Sequence, residues 1–124
     1  IMSELERPAA DADWPDAVRT LAWSFRSLTL RHPAAFRVLL SGPRPAALLR
    51  TADDVRSLLV ARGFAEDEAL VVFRTFIRFL MGSTLVEIGT PGRPPTAGDR
   101  TTAEHQFRFG IEAIIAGVLA TRRA

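Results

Sequence analysis

The chain has no cysteine, no lysine and no tyrosine, and only two histidines. The absence of cysteine excludes disulfides, thiolate nucleophiles and thiolate metal sites together, and fits a cytoplasmic protein. The absence of lysine excludes Schiff-base chemistry and the lysine of a phosphate-binding loop. All sixteen basic residues are arginine, which, with the high alanine, glycine and proline content, reads as a coding bias towards G and C. The arginines are scattered and the net charge is only +2, so the basic stripe or patch of a nucleic-acid surface is missing. No signal-peptide pattern opens the chain. Its longest apolar stretch is interrupted by Arg74, Arg78 and Glu87, so no membrane span is expected.

Catalytic signatures are equally scarce. The serines at 3, 24, 27, 41, 57 and 83 include none in a nucleophile elbow. His32 precedes Pro33 at a helix end, where it can cap carbonyls, and His105 sits in a first helical turn. With Glu87 they offer no zinc-type spacing. The expectation is no enzyme, no metal and no cofactor.

What the chain does have is apolar surface. Hydrophobic residues make up 48% of its 124 positions, which is enough for one folded domain. In the segment 66–89, Leu70, Phe73, Ile77, Leu80 and Thr84 form one helical stripe. Val72, Phe76, Phe79, Ser83 and Val86 form a second, roughly a third of a turn or more away. The segment 102–122 is also apolar nearly all round, with Phe107, Ile111, Ile114, Ile115 and Val118 interleaved with Gly110, Ala113, Ala116 and Gly117. Such helices must be buried nearly all round, and in so short a chain a second copy is the natural cover. The expected dimer interface is Phe76, Ser83, Phe107, Gly110, Ile111, Ile114, Gly117 and Val118.

Proline, glycine and capping residues punctuate the remainder. The segment 1–12 reads as a connector. Asp13 is an N-cap candidate, with Pro15 in the first turn and Asp16 at the capping-box position, and this helix runs to Arg31 before Pro33. A short helix, 33–41, stops at Gly42. Pro43-Arg44-Pro45 leads into a third helix ending at Gly63. Glu66, Asp67 and Glu68 favour the start of the fourth. A breaker-rich loop, 89–100, precedes a last helix opened by Thr101 and Glu104. No alternating strand pattern occurs. The predicted fold is all-α, about five helices.

The order of short motifs is also informative. Trp14-Pro-Asp16, Ala22-Trp-Ser-Phe-Arg26, Arg44-Pro45, Gly63-Phe64 with Glu68-Ala-Leu70, Gly82, and the run from Phe107 to Gly117 resemble the C-terminal domain of the tetracycline-repressor family, at close to its spacing over residues 13–119. The resemblance implies a homodimer whose two long helices per subunit make a four-helix bundle. It also implies a small-molecule effector, and operator DNA bound through an N-terminal helix-turn-helix domain that this chain lacks. Ile1-Met2 would match the end of the helix joining the two domains. Residues 1–124 then read as the effector-binding and dimerisation domain.

Carried over by position, Phe25 falls at an aromatic drug contact. Leu21 replaces an asparagine contact, and a metal-ligand histidine falls at Leu39 or Leu40. Arg44 and Pro45 match a loop that moves on induction, and Glu87 lies near a family glutamate. These departures imply a hydrophobic effector and not a metal–tetracycline complex. The expected pocket lining is Leu21, Phe25, Leu40, Val55, Phe73 and Ile77, with Arg44 at the mouth and Arg78 as a polar anchor. Arg26, Arg74 and Arg78 otherwise read as rim charges or ion pairs. The alternative of a free-standing helical ligand-binding or scaffold module with no DNA role stays open. The coding sequence upstream of Ile1 separates the two.

Overall fold

Pro15 in the first turn and the break at His32-Pro33 frame α1 (Trp14–Arg31), and Pro33 then opens α2 (Pro33–Ser41). Three longer helices follow: α3 (Ala46–Ala61), α4 (Glu66–Ile88) and α5 (Ala97–Arg123). The computed structural model describes residues 13–89, 92–93 and 96–123, without the Arg123 side chain. No strand occurs among them, and the expected all-α fold stands. The connector expected over 1–12 lies outside the described residues.

Helix ends explain most boundaries. After α3, Gly63 takes a φ of +98°, a left-handed conformation open to glycine without penalty. Its N–H bonds to the Val60 carbonyl, and the next N–H, of Phe64, to that of Leu59. At α4 the Glu68 carboxylate accepts the Ala65 N–H at 3.1 Å, one half of a capping box.

Two expected caps are corrected. Asp13 holds the N-cap position of α1 but makes no side-chain cap bond, and Asp16 instead pairs with Arg19 at 2.8 Å. The reciprocal box of α5 is Thr96 with Asp99, bonded at 3.0 and 3.1 Å. The Thr101 hydroxyl lies inside the helix on the Ala97 carbonyl. The last helix therefore starts five residues before the expected Thr102.

Trp14, Leu21, Phe25 and Leu28 of α1 bury against α2, α3 and α4, with Phe36, Leu48, Val55, Leu59, Phe76 and Leu80. Phe25 and Phe36 meet edge to face at 5.7 Å, the favoured geometry for two aromatic quadrupoles. Fully burying a side chain of this size is worth roughly 1.5–3 kcal/mol. Buried Thr29, Thr51 and Thr84 each donate to a carbonyl of the preceding turn.

α5 runs back along α4. At one end Arg122 lies 4.0 Å above the Phe64 ring and 3.7 Å from Glu68. In the middle, the Phe79 ring lies over Gly110. Phe107, Ile111 and Ile115 then complete the core of the single chain. By length and composition α4 meets the criteria for a membrane-crossing helix, a test that the core helix of a bundle also passes. Here it packs against α1, α3 and α5.

Candidate ligand cavity and helix-pairing face

The seam expected to hold a ligand lies between α1, α3 and α4. Leu21, Phe25, Phe73 and Ile77 do come together there, with Leu48, Thr51 and Leu80, but around a void of only about 10 Å³. That is room for about one water probe, not the few hundred Å³ of a drug-sized pocket. Phe36, edge to face with Phe25, and the large aliphatic neighbours fill the space.

The other four expected lining residues lie elsewhere. Val55 is buried in the core and Leu40 is half-buried beside it. Arg44 turns back onto the end of α2, donating to the Leu39 carbonyl at 3.0 Å. Arg78 is exposed on α4, beside the groove that α4 forms with α5. Neither arginine enters the seam.

A larger space opens at the opposite flank of α1. A half-open cavity of about 470 Å³ lies where the end of α1, the start of α2, the end of α4 and the start of α5 meet. Leu30, Pro33 and Ile88 supply apolar wall, and Arg26, Arg31, Glu87, Arg100, Thr101 and Glu104 supply polar groups.

Its inner wall is an ion pair. Arg26 donates from Nε to Glu87 Oε2 at 3.0 Å and from Nη2 to Oε1 at 2.5 Å. Both side chains are nearly closed to solvent, where two parallel charge-assisted bonds are strongest. The Arg26 guanidinium also lies 5.7 Å from the Trp23 and Phe107 ring centres. Arg37 donates to the Gly89 carbonyl at 2.9 Å, so the last turn of α4 is tied to α1 and to α2. The ion-pair reading of Arg26 holds. Arg31, Arg100 and Glu104 were missed, because nothing local in the sequence places the two ends of α1 and α5 together.

The third feature is a bare face. Val71 and Val86 of α4 are 63% and 81% exposed and Phe109 of α5 is 72% exposed. An open groove of about 450 Å³ runs between the two helices along Arg78, Gly82, Ser83, Val86, Ala103 and Gln106. This corrects the expected interface. Phe107 and Ile111 have no exposed surface, and Phe76 has little; all three are spent on the core of their own chain. Gly110 accommodates Phe79 of the same chain. Gly117 faces open space, and Ser83, Ile114 and Val118 are half-buried, so these four remain within reach of a partner.

His32 and His105 are both exposed, and among the described residues no three His, Asp or Glu side chains gather as metal ligands.

Comparison with known proteins decides the family. A family model described as tetracyclin repressor-like, C-terminal domain, matches residues 7–102. The chain belongs to this family. It is also 28% identical over 129 aligned positions to the tetracycline repressor protein class E of Escherichia coli, covering 91% of this chain. The chain spans about 61% of the length of that relative. No solved structure matches. Within this tetracyclin repressor-like domain the family match ends in the first turns of α5. The bare α5 face, beginning near Gln106, therefore lies beyond the matched segment.

Proposed function

We propose that this chain is the effector-binding and homodimerisation domain of a ligand-responsive transcriptional regulator, a cytoplasmic repressor that meets operator DNA through a segment outside these residues. The observation that carries the reading is the bare apolar face of α4 and α5. A monomer rarely leaves Val71, Val86 and Phe109 uncovered on one pair of helices. The small residues beside them, Gly82, Ala113 and Gly117, let a second helix pair approach closely. A self-complementary, two-fold arrangement is the simplest way to cover such a surface.

The effector would work by changing how α1, α4 and α5 pack. Leu21, Phe25, Phe73 and Ile77 keep a place in this reading as the walls of a seam that parts around an apolar ligand. Phe73 and Ile77 are only half-buried, so they can swing outward without exposing the deepest core. A ligand acts on the dimer only so far as it binds one packing better than the other, and the separation of two DNA-reading elements follows from that packing.

Sedimentation of the purified chain at micromolar concentration tests the proposal. A dimer is expected. A stable, folded monomer would remove its basis.

A further inference from the structure

The 470 Å³ cavity beside the Arg26–Glu87 pair has its own chemistry. Arg26 and Glu87 neutralise each other through two bonds, so they give the cavity a rigid wall and no net charge. Arg31 and Arg100 reach it from the end of α1 and the start of α5, and neither forms an ion pair among the described residues. Among the described residues the Arg31 guanidinium makes one long hydrogen bond, 3.4 Å from Nε to the Ser27 carbonyl. Against these two cations the lining sets Glu104, which forms no ion pair among the described residues. The free charge of the described lining is therefore positive, while Leu30, Pro33 and Ile88 form an apolar wall.

We infer that this cavity is a preformed site for a small organic anion: a carboxylate with an apolar body. The carboxylate would be held by Arg31 and Arg100, whose planar guanidinium groups match its two oxygens, and the body would lie on Leu30, Pro33 and Ile88. A space of 470 Å³ falls within the usual range for small-molecule sites. The site is distinct from the seam at Leu21 and Phe25, which lies on another side of α1 and is closed. Its binding chemistry stands by itself. Its regulatory consequence rests on the reading above, because a ligand bridging the start of α5 to the end of α1 biases the α4–α5 packing that a dimer would use.

Octanoate and its neutral isostere octanamide are the probes, titrated into the isotope-labelled full chain. Binding is read at the two indole N–H signals. Trp23 lies beside Arg26, whereas Trp14 packs on Phe64, about 13 Å away along α1. Saturable octanoate binding should move the Trp23 signal and leave that of Trp14. Octanamide should bind roughly tenfold more weakly or worse, since a charge-assisted bond to arginine is lost. Arg31→Gln and Arg100→Gln should each weaken octanoate similarly, with melting temperature and sedimentation unchanged, because both side chains are exposed and neither forms an ion pair among the described residues.

Equal binding of the two probes, octanoate binding that is indifferent to both substitutions, or no saturable binding would each overturn the inference. If octanoate binding is lost in Phe73→Ala and unmoved in the arginine variants, the seam is the seat: the anion site falls and the regulator reading survives. If the chain also sediments as a monomer, the regulator reading falls separately.

Discussion

The Phe79 ring occupies the place that a side chain on Gly110 would need: a Cβ built there would lie 2.3 Å from Cζ and 2.5 Å from Cε1. Glycine at this point lets α4 and α5 approach within one chain. Gly110→Ala should therefore destabilise the domain. Overpacking costs about 1–3 kcal/mol, and the better helix propensity of alanine returns at most about 1 kcal/mol. Pairing it with Phe79→Leu should restore part of the loss. Urea unfolding at fixed protein concentration checks both, and a Gly110→Ala chain as stable as the parent would show that Phe79 rotates away freely.

Glu87→Gln should be among the most damaging single substitutions outside the apolar core. It leaves the Arg26 guanidinium buried without its counter-charge, a change worth about 3–5 kcal/mol. Replacing both partners with apolar residues of similar size, Arg26→Met with Glu87→Leu, should recover most of that. A double-mutant cycle by thermal melting gives the coupling, and additive losses would mean that the pair does not act as a unit.

Two exposed carboxylates set a weak acid limb. Glu112 accepts two-pronged bonds from Arg19, which hold its pKa below the ordinary 4.5. The Thr96 N–H, then its hydroxyl, hold Asp99 below the ordinary 3.8. A depressed folded-state pKa stabilises the fold above the unfolded value and loses that stabilisation as pH falls through the folded one. Melting temperature should therefore fall as pH drops below about 4.5. Glu112→Gln and Asp99→Asn should flatten that slope. Added salt should shrink the Glu112 part, since the Arg19 pair is solvent-exposed. An unchanged slope in both variants would assign acid sensitivity to other groups.

Much of the fold was legible because breakers and helix faces are local signals. Pro33, Gly42, Pro45, Gly63 and Gly89 each mark a real helix boundary. The start of α5 was not legible, because Thr96 with Asp99 and Thr101 with Glu104 carry the same spacing and only the first pair makes the cap. The faces of α5 were misassigned for a related reason. On a helix with apolar residues on more than one face, periodicity does not say which stripe turns to its own chain. Phe107 and Ile111 turned inward, towards Trp23 and the core, and left Phe109 outside. The cavity was invisible because Arg26, Glu87 and Arg100 meet only once four helix ends are in place.

Phe109 and Ile111, two residues apart, should give opposite phenotypes. Phe109→Glu places a charge on the bare face and leaves the core intact, so the product should be a helical monomer. Ile111→Glu places the same charge where no surface is exposed, so the chain should unfold or aggregate. Val86→Arg should behave like Phe109→Glu. Circular dichroism with sedimentation separates the classes. A Phe109→Glu chain that remains a tight dimer would put the interface elsewhere.

The seam yields the last prediction. An apolar ligand that must part Phe73 and Ile77 from Leu21 and Phe25 sees only the fraction of molecules already open, and its apparent affinity falls by that fraction. Phe73→Ala removes one wall and enlarges a void of about 10 Å³. Because Phe73 is half-buried, the substitution should cost less than the roughly 3–5 kcal/mol of a fully buried phenylalanine. The dimer should persist, since Phe73 faces the seam and not the bare side of α4. Octanol, a neutral apolar probe, should then bind the variant more tightly than the parent and raise its melting temperature. The opposite result, with the parent binding and the variant not, would mean that the seam opens readily and that the Phe73 ring is itself a ligand contact. Indifference of both proteins to octanol would make the four residues purely structural and remove the seam from the effector pathway.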